Sequence, residues 1–341
     1  MRTVYSCVVD TDPKYARQAV LWAASLLVHG EQEAESLVVH TIGETDPRLT
    51  DLLDSWGVEQ VQVEPFDSRH PYSNKLVQFA TPSLQQAQHV VLCDCDLAFA
   101  APIAPWTKGD RIRARIVQRP WLPLTQWRSI FEAANIRFPR VRVRAGNGQP
   151  TLPSFCNGGL YVVPQRLFER VGSNWCQWDR WLLDHAELLG GPLAIFADQV
   201  SFTLACEAMG ERIDYLPVEL NYHSGTRAAA AAARDGRKGF VPRVLHYHSA
   251  VGPRGFLFQE RIPSMNAATE RVNQLIRSLN EIFPVPPSPS EPGADQLSPG
   301  EPPDMPGPAE PADLPSPADL MDAPKPAGSA VGAGSLDAGD D

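Results

Sequence analysis

The stretch His89-Val90-Val91-Leu92-Cys93-Asp94-Cys95-Asp96-Leu97 constrains the fold of this chain more than any other. An apolar run without polar alternation suits a central strand covered on both faces, where ionised side chains could not stay unpaired. The two carboxylates that end it therefore belong at the exposed end of the strand, which in an open α/β sheet is where ligands bind. Two hard oxygen donors there fit Mg²⁺ or Mn²⁺, ions that bridge a diphosphate. A solvated turn has the same pattern, so the rest of the chain has to decide between them.

The residues before this run alternate between strand and helix patterns. Thr3 to Val9 reads as a strand, Asp10-Thr11-Asp12-Pro13 as a turn and helix start, and Tyr15 to Val28 as a helix with apolar residues at Ala16, Ala19, Val20, Ala23, Leu26 and Leu27, ended by Gly30. Leu37 to Ile42 is a second strand, Arg48 to Trp56 a helix stopped by Gly57, and Val58 to Val63 a third strand. This βαβαβ opening implies a parallel sheet of nucleotide-binding character. No Gly-x-Gly-x-x-Gly follows the first strand and no Gly-Lys-Ser/Thr occurs, so dinucleotide and P-loop chemistry are not suggested. Asp10 and Asp12 occupy the switch region instead. A short helix over Tyr72 to Phe79, carrying Lys75, leads into the acidic strand.

After it, Pro102 and Pro105 break any helix. Arg111, Arg113 and Arg115 alternate with Ile112, Ala114 and Ile116, and Arg142 and Arg144 with Val141 and Val143. Two readings stand: a pair of strands with a solvated arginine face, or an acceptor-side surface for an anion, with Trp106, Trp121 and Trp127 available for stacking. Phe155-Cys156-Asn157-Gly158-Gly159-Leu160 is a glycine loop entering a strand, followed by a helix from Gln165 to Leu189 whose Trp175, Trp178 and Trp181 suit a core. Asp198-Gln199 opens another helix, with Asp198 near its N-cap. Ile213 to Pro217 and Asn221-Tyr222 are extended, and Ala228 to Ala233 fits either a helix or a mobile segment. Val244-Leu245-His246-Tyr247-His248 is a last strand whose two histidines share a face, and Ala267 to Leu279 a closing helix.

From residue 284 onward the chain is dominated by Pro, Ala, Gly, Ser, Asp and Glu without an aromatic residue, a composition that cannot offset its ordering entropy. A disordered Pro-rich acidic tail over 284–341 is expected, behind a single domain over 1–283 in which 110–150 and 200–283 are acceptor-side elements. The tail holds eleven of the 40 acidic residues and one of the 30 basic ones, leaving 29 of each in the body. The folded part is thus formally neutral, and no nucleic-acid partner is expected. The six cysteines are scattered, so neither a disulfide framework nor a zinc site is suggested. No signal-type segment or run approaching 18 apolar residues is seen, and a cytoplasmic location is the expectation.

Taken in order, these pieces resemble a nucleotide-sugar glycosyltransferase of the GT-A fold, and most the retaining glycosyltransferase family 8. Val9-Asp10-Thr11-Asp12-Pro13-Lys14-Tyr15 resembles that family's opening strand and helix, and Val90 to Asp96 its Asp-x-Asp strand. Phe155 to Leu160 is similar to its Asn-x-Gly segment, Asp198-Gln199 to its Asp-Gln helix start, and Leu245-His246-Tyr247 to its late metal-binding histidine. The family's Lys-Pro-Trp starting six residues after that histidine is not matched: Gly252 stands at that offset from His246, and Arg254 from His248.

The resemblance implies a Rossmann-like α/β enzyme that moves a hexose from a UDP-sugar to an acceptor with retention. Its metal, Mn²⁺ or Mg²⁺, would be held by Asp94, Asp96 and His246, with His248 as the alternative histidine. Asp10 or Asp12, Tyr15, Lys75, Asp94, Cys95, Asn157, Gly158 and Arg254 would contact the nucleotide-sugar, with Arg254 a cation for phosphate. Asp198 and Gln199 would be catalytic. The acceptor, whether glycan, lipid or protein, stays open, and with it peripheral membrane association. Two rival readings fit the same residues: an inverting GT-A enzyme with an aspartate such as Asp198 as base, and a non-catalytic scaffold acting through the Pro-rich tail.

Overall fold

The structure is a computed structural model that describes residues 2–190, 195–224, 240–248, 250–259 and 263–284. The expected tail and the Ala228 to Ala233 segment lie outside the described residues, apart from Pro284. Strand and helix alternate at the start as the residue pattern predicts: β1 (Thr3–Val9), α1 (Pro13–Val28), β2 (Leu37–Ile42), α2 (Pro47–Trp56) and β3 (Glu59–Val63). The two helices start alike, with Asp12 and Asp46 accepting the N–H of Lys14 and Arg48, each ahead of a proline at the first helical position. Gly57 ends α2 in a left-handed turn, φ 77°.

A 3₁₀ helix (Pro71–Ala80) and the short α3 (Pro82–Gln85) lead to β4 (His89–Cys93), and then come β5 (Leu97–Phe99), β6 (Arg113–Ile116), α4 (Leu124–Ala133), β7 (Val143–Arg144), β8 (Pro150–Thr151) and β9 (Cys156–Pro164). The described residues end with α5 (Gln165–Asp184), α6 (Ala197–Met209), β10 (Asp214–Tyr215), β11 (Tyr222–His223), β12 (Val244–His246) and α7 (Pro263–Ile282).

Seven strands form the main sheet in the order β10-β6-β9-β4-β1-β2-β3. It is mostly parallel, β9 alone running against its neighbours β4 and β6. The apolar run of β4 is buried on both faces, as its composition requires: Val91 and Cys93 face one hydrophobic cluster, Val90 and Leu92 the other. The first cluster packs the sheet against α1, α2 and α7, and the second against α5 and α6. A third gathers Trp127, Phe131 and Phe155 under α4. No helix among the described residues is long and apolar enough to cross a membrane.

The apolar run ends as a strand at Cys93 with the two acids just beyond it, as expected, and the turn at Asp94–Asp96 then hands the chain to a second sheet of order β11-β12-β5. Two expectations are corrected. The arginines of 111–144 do not make a solvated face on paired strands: β7 pairs with β8, and Arg115 of β6 is buried, its guanidinium donating to the Asn221 carbonyl and to Gln118. Trp127 is fully buried and cannot stack on a ligand, whereas Trp121 lies against Phe196, rings 5.5 Å apart. All six cysteines are free thiols, as expected.

Inside the sheet His40 is wholly buried, bonded to Thr81 Oγ1 at 2.7 Å and Ser6 Oγ at 3.1 Å, and burial pushes its pKa down to about 4. The unfolded chain, with histidine near its ordinary 6.5, binds this proton more readily than the folded one, so stability is lost as pH falls from about 6.5 to about 4. Urea unfolding at pH 7 and pH 4.5 is expected to show wild type losing about 2–3 kcal/mol more over this interval than His40→Gln, which has nothing to protonate there.

Candidate active site

The chain runs outward from β1 through β2 to β3, then returns with β4 to pair with β1 on the other side. Crevices at such reversals, beyond the carboxyl ends of the strands, are where open α/β sheets bind ligands. Since β1 and β4 are parallel, Ser6 opposite Leu92, Asp10 and Asp94 leave the sheet at that same edge. Antiparallel pairing of β12 with β5 sets His246 opposite Leu97, and so next to Asp96.

Asp94, Asp96 and His246 thus converge, with one ligand atom of each within 4.8 Å of the others. The His246 Nε2 atom is 3.2 Å from Asp96 Oδ1, both are shut off from water, and neither has a well-directed hydrogen bond. Two buried polar atoms this close without a well-directed bond leave part of their desolvation cost unmet, which a divalent cation would meet. The residues therefore fit a metal. His248 lies at the rim, its Nδ1 3.3 Å from Asp96 Oδ2.

Which nitrogen of His246 carries the proton follows from its neighbours. The Gly159 N–H can only donate, and it donates to Asn157 Oδ1 at 3.0 Å. The same oxygen accepts Asn221 Nδ2 at 2.7 Å, which turns Asn221 Oδ1 toward His246 Nδ1 at 2.9 Å. Nδ1 must then be the protonated nitrogen, and Nε2 keeps its lone pair for the acidic side. Burial lowers the His246 pKa, although the Asp96 carboxylate opposes this, so the neutral imidazole that a metal needs is favoured. Gly159 is required for room as well: a Cβ there would sit 2.6 Å from His246 Cε1.

Lys75 is largely buried and bridges two acids, its Nζ 3.0 Å from Asp94 and 2.8 Å from Asp198. Desolvation would lower its pKa, but these carboxylates raise it, so it stays a cation. Burial pushes the Asp94 carboxyl up, and Lys75 counters that. The same ammonium donates to the Gly158 carbonyl, and a Cβ on Gly158 would meet Lys75 Nζ at 2.9 Å, Asp198 Oδ2 at 3.1 Å and Gln199 Cγ at 3.3 Å. Lys75, Gly158, Asp198 and Gln199 therefore stand together beside the carboxylate pair. Asp198 is the second residue of α6 rather than its cap, and its side chain is spent on Lys75.

Other expected contacts are arranged differently. Asp10 is held by Asn74 Nδ2 at 2.9 Å and lines an open cleft of about 250 Å³ with Asp12, Ala16, Thr45 and Asp46. Asp12 caps α1 and pairs with Lys14 at 2.9 Å, and Tyr15 is half-buried beneath that lysine. The Cys95 thiol is buried and turned to Gln18. Arg254 is exposed, and no hydrogen bond or ion pair joins its guanidinium to the carboxylates among the described residues; its carbonyl accepts from Arg17 and Asn280. The sequence pattern marks Asn221 only as part of the extended pair Asn221-Tyr222 and does not single out His223. Their signal was a second histidine-bearing pair, Tyr222-His223, beside His246-Tyr247-His248.

Because Asn221 orients the ligand nitrogen, Asn221→Ala is expected to weaken Mn²⁺ binding about 10–100-fold, measured by the EPR signal of free Mn²⁺. Unchanged affinity would mean that the imidazole is oriented by other groups.

Residues 6–210, more than half of the chain, match a family described as the Rhodobacterales glycosyltransferase domain. No curated protein matches the sequence. Among solved structures, mouse xyloside xylosyltransferase 1 is 15% identical with a TM-score of 0.48, over 73% of this chain and 98% of that one. A galactosyltransferase LgtC bound to donor and acceptor sugar analogues is 14% identical with a TM-score of 0.49, over 83% and 98%. The glycosyltransferase GlyE of Streptococcus pneumoniae is 15% identical with a TM-score of 0.48, over 85% and 67%. With its mostly parallel sheet and an Asp-x-Asp turn at the sheet's reversal point, the fold is the GT-A type that the sequence resemblance implied, and the chain belongs to the Rhodobacterales glycosyltransferase family.

Proposed function

We propose that this glycosyltransferase moves a hexose from a UDP-sugar to an acceptor with retention of configuration, and that it does so with Mn²⁺ or Mg²⁺ held by Asp94, Asp96 and His246. The observation that carries the reading is the convergence of Asp94, Asp96 and His246, one ligand atom of each within 4.8 Å of the others, with Asp96 Oδ1 and His246 Nε2 buried 3.2 Å apart. When bound, the ion supplies positive charge for the diphosphate leaving group. The protein's own residues do the rest. Lys75, a permanent cation beside Asp94, is placed to pair with a phosphate oxygen in exchange for a carboxylate. Gly158 keeps a Cβ out of the space shared by Lys75, Asp198 and Gln199, where the donor sugar would lie.

Retention is supported by the state of Asp198. An inverting transferase needs a carboxylate free to take the acceptor's proton. Asp198 is 2% exposed and locked to Lys75, which makes it a poor base but a suitable fixed charge near an oxocarbenium-like sugar. Gln199 adjoins it and serves the same transition state. Asp10, on its open cleft, is the acid for base or ribose, while Asp12 is occupied as a helix cap. Uridine and hexose are inferred from the sequence resemblance, whereas residues 1–283 as the catalytic unit with a tail dispensable for transfer, and a cytoplasmic location, are inferred from composition.

Asp94→Asn combined with Asp96→Asn is expected to reduce turnover by roughly 10³-fold or more, the scale on which loss of transition-state charge stabilisation acts. A scaffold protein would keep its function in that variant. NMR of the product's anomeric proton tests the stereochemistry: an α-linked product from an α-linked donor is expected, and a β-linked one sinks the claim of retention.

A further inference from the structure

His223, His246 and His248 form a second group of potential ligands, one nitrogen of each within 4.8 Å of the others, which shares His246 with the acidic group. Three rings lie in mutual contact there. The centroids of His246 and His248 are 3.8 Å apart, those of His223 and His246 4.8 Å, and His248 Nε2 is 3.4 Å from His223 Nδ1. The grouping comes from two strands, β11 and β12, that pair in parallel with His223 directly opposite His246. His248 follows in a left-handed turn, φ 47°, a backbone state that histidine adopts at some cost and that brings its ring against the other two.

The donor sets differ in chemistry. Two carboxylates and one imidazole suit Mn²⁺ and Mg²⁺, whereas three imidazoles suit the borderline ions later in the series, Zn²⁺ above all, and offer Mg²⁺ little. Both sets draw on the same atom. The Nδ1 of His246 is committed to Asn221, so only Nε2 has a lone pair to give. One lone pair serves one ion. The two groups cannot both be filled.

We propose that His223, His246 and His248 form a competing metal position for a Zn²⁺-type ion, and that an ion bound there withdraws His246 from the Asp94–Asp96 group. The chain would then be a transferase that Zn²⁺ turns off by taking a ligand rather than by occupying the carboxylates. Selectivity for the resident ion would come from the free concentrations of the two metals, since the site with more nitrogen always prefers the later one.

Equilibrium dialysis of the full chain against Zn²⁺, and Mn²⁺ release followed by the EPR signal of the free ion, test this. In wild type, Zn²⁺ is expected to displace Mn²⁺ mole for mole. Asp94→Asn should lose Mn²⁺ affinity and keep Zn²⁺ affinity, while His223→Gln should weaken Zn²⁺ about 30-fold and leave Mn²⁺ within about threefold. The idea is overturned if Mn²⁺ stays bound beside Zn²⁺, if Asp94→Asn weakens both ions alike, or if His223→Gln leaves Zn²⁺ affinity unchanged. Displacement is read on wild type, so it does not depend on how the variants fold. That arm rests on the proposed Mn²⁺ site, whereas Zn²⁺ binding in His223→Gln does not, so failure of one reading is distinguishable from failure of the other.

Discussion

The backbone N–H of Gly159 has one capability, to donate, and from that single restriction the orientation of two amides and the tautomer of His246 follow. The strand β9 that carries it runs against β4, and there the Gly159 carbonyl in turn accepts the N–H of Asp94. One residue therefore contacts both halves of the metal group, its N–H through the amide relay to the histidine and its carbonyl directly to the first acid. A side chain on Gly159 would collide with the His246 ring. The glycine is needed there for its lack of bulk.

Charge in the site is arranged around a similar economy of parts. Among the described residues, Asp94, Asp96 and Asp198 are three acids in a confined space, and the Lys75 ammonium touches two of them. Burying like charges this close is costly without counterions. A dication bound there would relieve the Asp94–Asp96 side and free Lys75 for an anionic group. Ion and donor would in this way bind more tightly together than apart.

Much of the fold was legible because local chemistry and tertiary packing agree in the first hundred residues. The helix start at Asp12-Pro13, the helical spacing that follows it and the uninterrupted apolar run of β4 each allow one reading. The stretch from Arg111 to Ile116 failed for a physical reason: alternation says which residues share a face, not whether that face meets water, and Arg115 faces the Asn221 carbonyl. Asp94 and Asp96 were legible as the end of a buried apolar run, whereas His246 was marked only by the family resemblance, and the structure brings the three together. Their supporting residues were not legible. Asn221 is an ordinary polar residue in a short extended segment, and nothing local marks it as the link between Asn157 and His246. Arg254, expected at the phosphates from its spacing alone, stands exposed away from the acids' bonds.

The pairing of β5 with β12 joins Asp96 to a residue 150 positions later in the chain (246 minus 96). Closing a loop of that length costs about 4 kcal/mol in chain entropy, so the junction depends on the sheet having formed first. On a ribosome adding about 5–20 residues per second, the acids wait roughly 8–30 s for their histidine. Lys75 precedes them, and it is the counterion they have in that interval. A metal held by all three groups would therefore be taken up only after nearly the whole folded body has been synthesised, because His246 is the last of them to emerge.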